Sequence, residues 1–166
     1  MEERRSSYLV ISIGSCIGAT LLCIIIALVG FFSLVYYSSQ EPEGVDIQVI
    51  TPTEVRSGQT FTFLITIENL GEEAQTLRRV DITTAYLDGF EVSDVVPVYL
   101  RRDRLNVLGI GVETFEFQEL ILEGETLTVE FAATALEPGD YAGDLEVCIS
   151  SMVVCKKMVT RTLIEE

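Results

Sequence analysis

Four cysteines fall into two pairs of equal spacing, Cys16/Cys23 and Cys148/Cys155, and that spacing means different chemistry in each place. Cys16 and Cys23 lie in an uncharged apolar run. Seven residues are about two helical turns, so the two share a face and read as packing residues. Cys148 and Cys155 lie in alternating sequence. If Ile149 faces Val154 around a turn near Ser151, the two sulfurs stand opposite each other on antiparallel strands. Facing positions that are not hydrogen-bonded bring side chains close, and an exported compartment permits oxidation. We expect a Cys148–Cys155 disulfide contributing about 2 to 3 kcal/mol in the chain-entropy account. The inward alternation of Leu145, Val147 and Ile149 puts Cys148 on the outward face. A lone cysteine pair is not a zinc site, which takes four ligands.

Little else in the chain is equipped for chemistry. There is no histidine and no tryptophan. The usual general base, nucleophile activator and zinc ligand are therefore missing. Gly109-Ile-Gly111 has two glycines where a phosphate cradle needs a longer pattern. Acidic turns at Asp88, Asp140 and Asp144 bring calcium to mind, but no dense Asp/Asn loop is present. We expect no catalytic, cofactor or metal residues, and no enzyme. Arg101, Arg102 and Arg104 form the dense basic patch of the C-terminal part. They are either a docking site for an acidic partner or lipid headgroup, or an exposed loop or edge strand guarded by charge against aggregation.

The element that positions everything is the stretch from Ser6 to Gln40, which carries no charged residue. A membrane span needs about 20 apolar residues, and this run holds enough to cross. Arg4 and Arg5 precede it, and the next basic residue is Arg56. Basic flanks stay cytoplasmic, so the C-terminal part is expected outside. Tyr8, Tyr36 and Tyr37 suit the two interfacial belts. A cleaved signal peptide has a core of only about 7 to 15 residues, and Phe31 to Tyr37 is a poor cleavage site. Ile13-Gly-Ser-Cys16 loosely matches a lipoprotein motif, but the greasiest residues follow it. Gly14 and Gly18 are small residues four apart, the spacing that lets helices approach closely. The expected division is a cytoplasmic tail at 1–7, a transmembrane signal-anchor helix at 8–37, a linker at 38–44 and an extracytoplasmic domain at 45–166. The linker reaches roughly 20 to 25 Å when extended.

Of the 26 acidic and 11 basic residues, only Glu2, Glu3, Arg4 and Arg5 precede the apolar run. The formal charge of −15 therefore belongs to the exterior part. That argues against nucleic acid as a partner and suits a solvated surface. From Val45 the hydrophobic period becomes two. Val45, Ile47 and Val49 alternate with polar residues, as do Phe61, Phe63, Ile65 and Ile67. Thr51 to Gly58 reads as a turn region. Val80 to Leu87 reads as a third strand closed by Asp88-Gly89, and Phe90 to Tyr99 as an edge strand because of Pro97. Thr114 to Gln118, Leu127 to Phe131, Tyr141 to Ile149 and Val153 to Leu163 follow. Seven to nine short strands with regular turns predict an all-β antiparallel sandwich. Its expected core is Phe61, Phe63, Ile65, Ile67, Val80, Ile82, Phe115, Phe117, Leu127, Val129, Phe131, Leu145 and Val147.

Three segments carry a resemblance. Arg56 to Gly71 is similar to the G-x-x-F-T-F-x-I-x-I-x-N-x-G stretch of bacterial and archaeal extracellular immunoglobulin-like domains of the CARDB and related type. Leu120 to Phe131 resembles their late G-E-T-x-T-V-x-F strand, and Glu137 to Val147 their P-G-x-Y-x-G-x-V-x-V strand. The resemblance implies an immunoglobulin-like fold and no catalytic residues. Such domains serve adhesion, spacing and assembly alike. The expected function is a single-pass, membrane-anchored accessory or assembly subunit that binds a protein in the membrane or envelope. A pilin- or archaellin-like filament subunit is the alternative, and a carbohydrate- or calcium-binding module stands below it.

Overall fold

The computed structural model describes residues 22–36, 41–107 and 109–166, and the chain divides into two units, 1–39 and 40–166. In the first unit, residues 22–36 form a helix, α1, and every one of them is exposed. No helix among the described residues is long and apolar enough to cross a membrane. The remainder of the expected 8–37 span lies outside the described residues. So do Tyr8, Gly14, Cys16, Gly18 and Tyr37.

The second unit is built by alternation. Its elements are β1 (Val45–Ile50), β2 (Glu54–Arg56), β3 (Thr60–Asn69), β4 (Gln75–Thr83), α2 (Thr84–Leu87), β5 (Phe90–Val96), β6 (Arg101–Val107), β7 (Ile110–Ile121), β8 (Thr126–Ala135), β9 (Gly139–Ile149) and β10 (Cys155–Glu165). They make two sheets, β1-β3-β8-β5 and β2-β10-β9-β4-β7-β6. All pairings are antiparallel except β2 with β10. In β3 the aromatic and branched residues Phe61, Phe63, Ile65 and Ile67 face inward, while Thr60, Thr62 and Glu68 meet solvent. Such residues suit a pleated surface buried on one side.

The two sheets close over one hydrophobic core. Phe63 and Phe131, directly opposite on β3 and β8, stack at 4.7 Å between ring centroids. Phe115 from the other sheet meets Phe131 edge-on at 5.1 Å. Offset-stacked and edge-on pairs add to the burial of ring area. Every expected core residue is buried except Leu127, which packs against the cluster partly buried.

The structure departs from the sequence expectation in three ways. Ten strands form, not seven to nine. Two go beyond the eight expected segments: β6, which bears the basic patch, and β2, which lies inside the stretch read as a turn, where three residues are too few to show a period. β2 takes the chain from the edge of one sheet to the edge of the other, parallel to β10.

The expected third strand stops early. The chain leaves the sheet after Thr83 and makes one helical turn, which buries Tyr86 and Leu87. Glycines permit this turn to lie close to the sheet. A Cβ on Gly111 would collide with Thr84, and one on Gly143 with Thr83 and Tyr86. The Tyr86 ring packs near Phe63 and Phe90. Thr162 Oγ1 donates to the Pro52 carbonyl at 2.8 Å, so the Tyr86 hydroxyl donates to Thr162 Oγ1 at 3.0 Å. Burial pushes the Tyr86 phenol above its ordinary value.

Finally, Cys148 is outward in strand parity yet fully buried. It lies in register between Arg79 of β4 and Cys155 of β10, so neighbours on both sides cover it.

Candidate functional site

The sequence candidates converge on β6, which forms one edge of the six-stranded sheet. Because side chains alternate across a strand, the basic patch is not a single patch. Arg101 and Asp103 share the outer face and form an ion pair. Arg102 and Arg104 share the inner face, where β7 supplies their partner. Glu113 stands opposite Arg104 in register, and Phe115 opposite Arg102. Arg102 Nε donates to Glu113 Oε1, and Arg104 Nη2 donates to Oε2 at 3.1 Å. The Glu113 side chain is 5% exposed, against 38% for Arg102 and 66% for Arg104. The Arg102 guanidinium also lies 5.2 Å from the centre of the Phe115 ring, within cation–π range. One buried carboxylate thus fixes two arginines at the mouth of the sandwich. Facing them is a crevice of about 300 Å³, walled in part by Leu87, Phe90, Glu91 and Val92. Glu113 went unrecognised in the sequence. Its signal was there: it shares parity with Phe115 and Phe117, and so had to point inward.

The outer face of the same sheet carries a second concavity of about 350 Å³, with Asp81, Val112, Asp144 and Lys157 among its walls. Arg79 Nε lies 2.9 Å from Asp81 Oδ2 without the alignment of a hydrogen bond. Burial raises the Asp81 carboxyl above its ordinary value, and a bond from Thr114 and the charge of Arg79 oppose the rise. The acidic turn residues are occupied with cations. Asp140 takes Arg161 Nε at 2.7 Å, and this bond holds its carboxyl below the usual range. Asp144 lies 2.7 Å from Lys157 Nζ and raises that ammonium. Asp88 belongs to the turn after α2. No three acidic or cysteine side chains among the described residues gather with metal-binding geometry.

Cys148 and Cys155 face each other in register with their Cα atoms 4.0 Å apart, and they are disulfide-bonded. The bond closes the hairpin that ends β9. At the same end of the sandwich, Asn69 is wholly buried. Its amide donates to the carbonyls of Glu73 and Ile121, while its oxygen accepts from Gly71 N. The Gly44 carbonyl accepts from Leu70 N and Gly71 N, so the chain enters the domain here.

No protein-family model matches the sequence, and no curated protein is similar to it. Among solved structures, one similar fold is AvmM, which catalyses macrocyclisation in alchivemycin A biosynthesis. The TM-score is 0.50 at 12% identity, covering 75% of this chain and 90% of that one. Escherichia coli alpha-2-macroglobulin gives 0.47 at 20% identity over 74% of this chain, which spans only 9% of that protein. The cupredoxin domain of amoB from Nitrosocaldus yellowstonii gives 0.46 at 10% identity, over 77% and 91% of the two chains. At such identities the likeness is one of fold, and the chain is an all-β sandwich of two sheets.

Proposed function

We propose that this protein is a single-pass, membrane-anchored β-sandwich whose domain lies outside the cytoplasm and acts by binding another protein, without catalysis or cofactor. One observation carries the reading. Residues 22–36 form an uncharged helix with every residue exposed, while the sandwich gathers its inward-facing apolar residues into one buried cluster. A helix that is apolar all round has no face to offer water. The surrounding sequence extends the uncharged run to the length that a bilayer requires. We read the domain as immunoglobulin-like, a reading supported by the order of its four-stranded sheet and of the β10-β9-β4 trio, which is compatible with the two sheets of that fold. It departs from that pattern in chain order, visiting β5 in one sheet before β6 and β7 in the other. The arginine-bearing edge strand is the surface offered to the partner.

The test is topology and extraction. A phosphatase reporter fused after Glu166 should be active, a cytosolic fluorescent reporter at the same place dark, and the protein should stay in membranes through alkaline carbonate. A fluorescent cytosolic fusion, or recovery of the full chain without detergent, overturns the reading. The filament-subunit alternative predicts loss of the residues around Met1 from the mature protein.

A further inference from the structure

We infer that β6 accepts an added strand from the partner, and that this strand carries carboxylates at alternate positions on its inner face. The inference rests on the protein-binding reading above and names the surface and the chemistry. Sheet edges are templates for pairing, and natural domains blunt them. Three of the four edges here are blunted. On β1 the Ile47 carbonyl is taken by Lys156 Nζ at 3.3 Å. β2 is three residues long. β5 is interrupted by a bulge at Ser93. By contrast β6 runs seven residues in unbroken register with β7, and no other strand among the described residues pairs with it.

The side chains on that edge state what would pair with it. A guanidinium has five donors. Glu113 engages Arg102 through Nε and Arg104 through Nη2, and no other protein acceptor among the described residues takes the remaining donors of either. Two cations against one buried carboxylate leave an unspent positive charge, held in place by Glu113 and by the Phe115 ring. In an antiparallel addition, directly opposed side chains lie close enough to pair across the strands. A partner strand with acids on its inner face would meet Arg102 and Arg104 in forked geometry, with the 300 Å³ crevice behind them. On the outer face, Arg101 is paired one to one with Asp103 and leaves no excess charge, and Leu105 offers an apolar contact. Glu91 on the far wall of the crevice opposes the incoming charge. Main-chain bonds would give such a complex its affinity and alternate side chains its specificity.

The experiment titrates detergent-solubilised full-length protein into labelled heptapeptides and reads fluorescence anisotropy, with hydrogen exchange on the β6 amides. A peptide alternating Glu and Val should bind at least about tenfold more tightly than one alternating Lys and Val, and should slow exchange across β6. Methylating alternate peptide nitrogens should abolish binding, because the ladder then lacks donors. Arg104→Gln, exposed enough to spare the fold, should weaken binding about fivefold or more, Glu91→Gln should tighten it, and Arg101→Gln should change it less than about twofold. The inference is overturned if the Lys peptide binds as well, if the methylated peptide binds unchanged, if Arg101 rather than Arg104 controls affinity, or if glycerophosphate displaces the peptide at equal concentration. None of these outcomes touches the topology and extraction results, so failure here and failure of the anchoring reading are separable.

Discussion

Two stretches of this chain are rich in Ile, Leu, Val and Phe and end in opposite states. In β3, Phe63, Ile65 and Ile67 are wholly buried. In α1, Ile26 is 63% exposed and Phe32 67%. The difference lies in the partners of the apolar residues. β3 alternates Thr with Phe and Ile, so it owns a wet face and a dry one and can be half of a core. α1 has no polar stripe, so no orientation satisfies it in water. Burial in the sandwich is therefore settled by the sequence of each strand, whereas under the proposed reading the helix is covered by a bilayer.

Substitutions can break or sharpen that contrast. Phe63→Ala removes a ring stacked on Phe131 and should cost about 3 to 5 kcal/mol in urea unfolding of the domain. Leu28→Arg should leave the same unfolding transition untouched. It should instead disfavour membrane insertion by about 3 kcal/mol, seen as protein lost from the carbonate-resistant fraction. Replacing Cys148 and Cys155 together with alanine should lower domain stability by about 2 to 3 kcal/mol, and adding reductant to that variant should change nothing further.

The smallest effect is one of pH. Burial raises the Asp81 carboxyl, so the native state holds that proton more tightly than the unfolded chain does. The resulting stabilisation is present below the ordinary value of 3.8 and is lost as pH rises through the raised native value. Asp81→Asn should therefore gain on the natural protein as pH climbs above about 4. A pH-independent difference would mean that the contacts with Thr114 and Arg79 cancel desolvation, and a difference of the opposite slope that they outweigh it.

What the sequence showed, it showed through period two. The β3 core and the Cys148–Cys155 register could be read because each alternation runs unbroken to its turn. The strand β2 was too short to have a period. The turn α2 was hidden because Val80 and Ile82 lead straight into Ala85, Tyr86 and Leu87, and the chain leaves the sheet only where Gly111 and Gly143 make room for it. Those glycines lie roughly 30 and 60 residues away in sequence. The site was half legible. The arginines announced themselves by composition, but their split over two faces depended on register, and their anchor Glu113 was legible only through its parity with Phe115 and Phe117.

The handover from β1 to β2 has a mechanical consequence. The chain enters at Gly44, runs up one sheet as β1 and finishes beside β10 on the other as β2. Tension drawn along the chain away from Gly44 pulls β1 parallel to its own axis, so its six rungs with β3 are sheared together and not peeled in turn. Whatever passes β1 is delivered through Pro52 and Thr53 to the opposite sheet. A pull at Gly44 is thus shared between both halves of the domain.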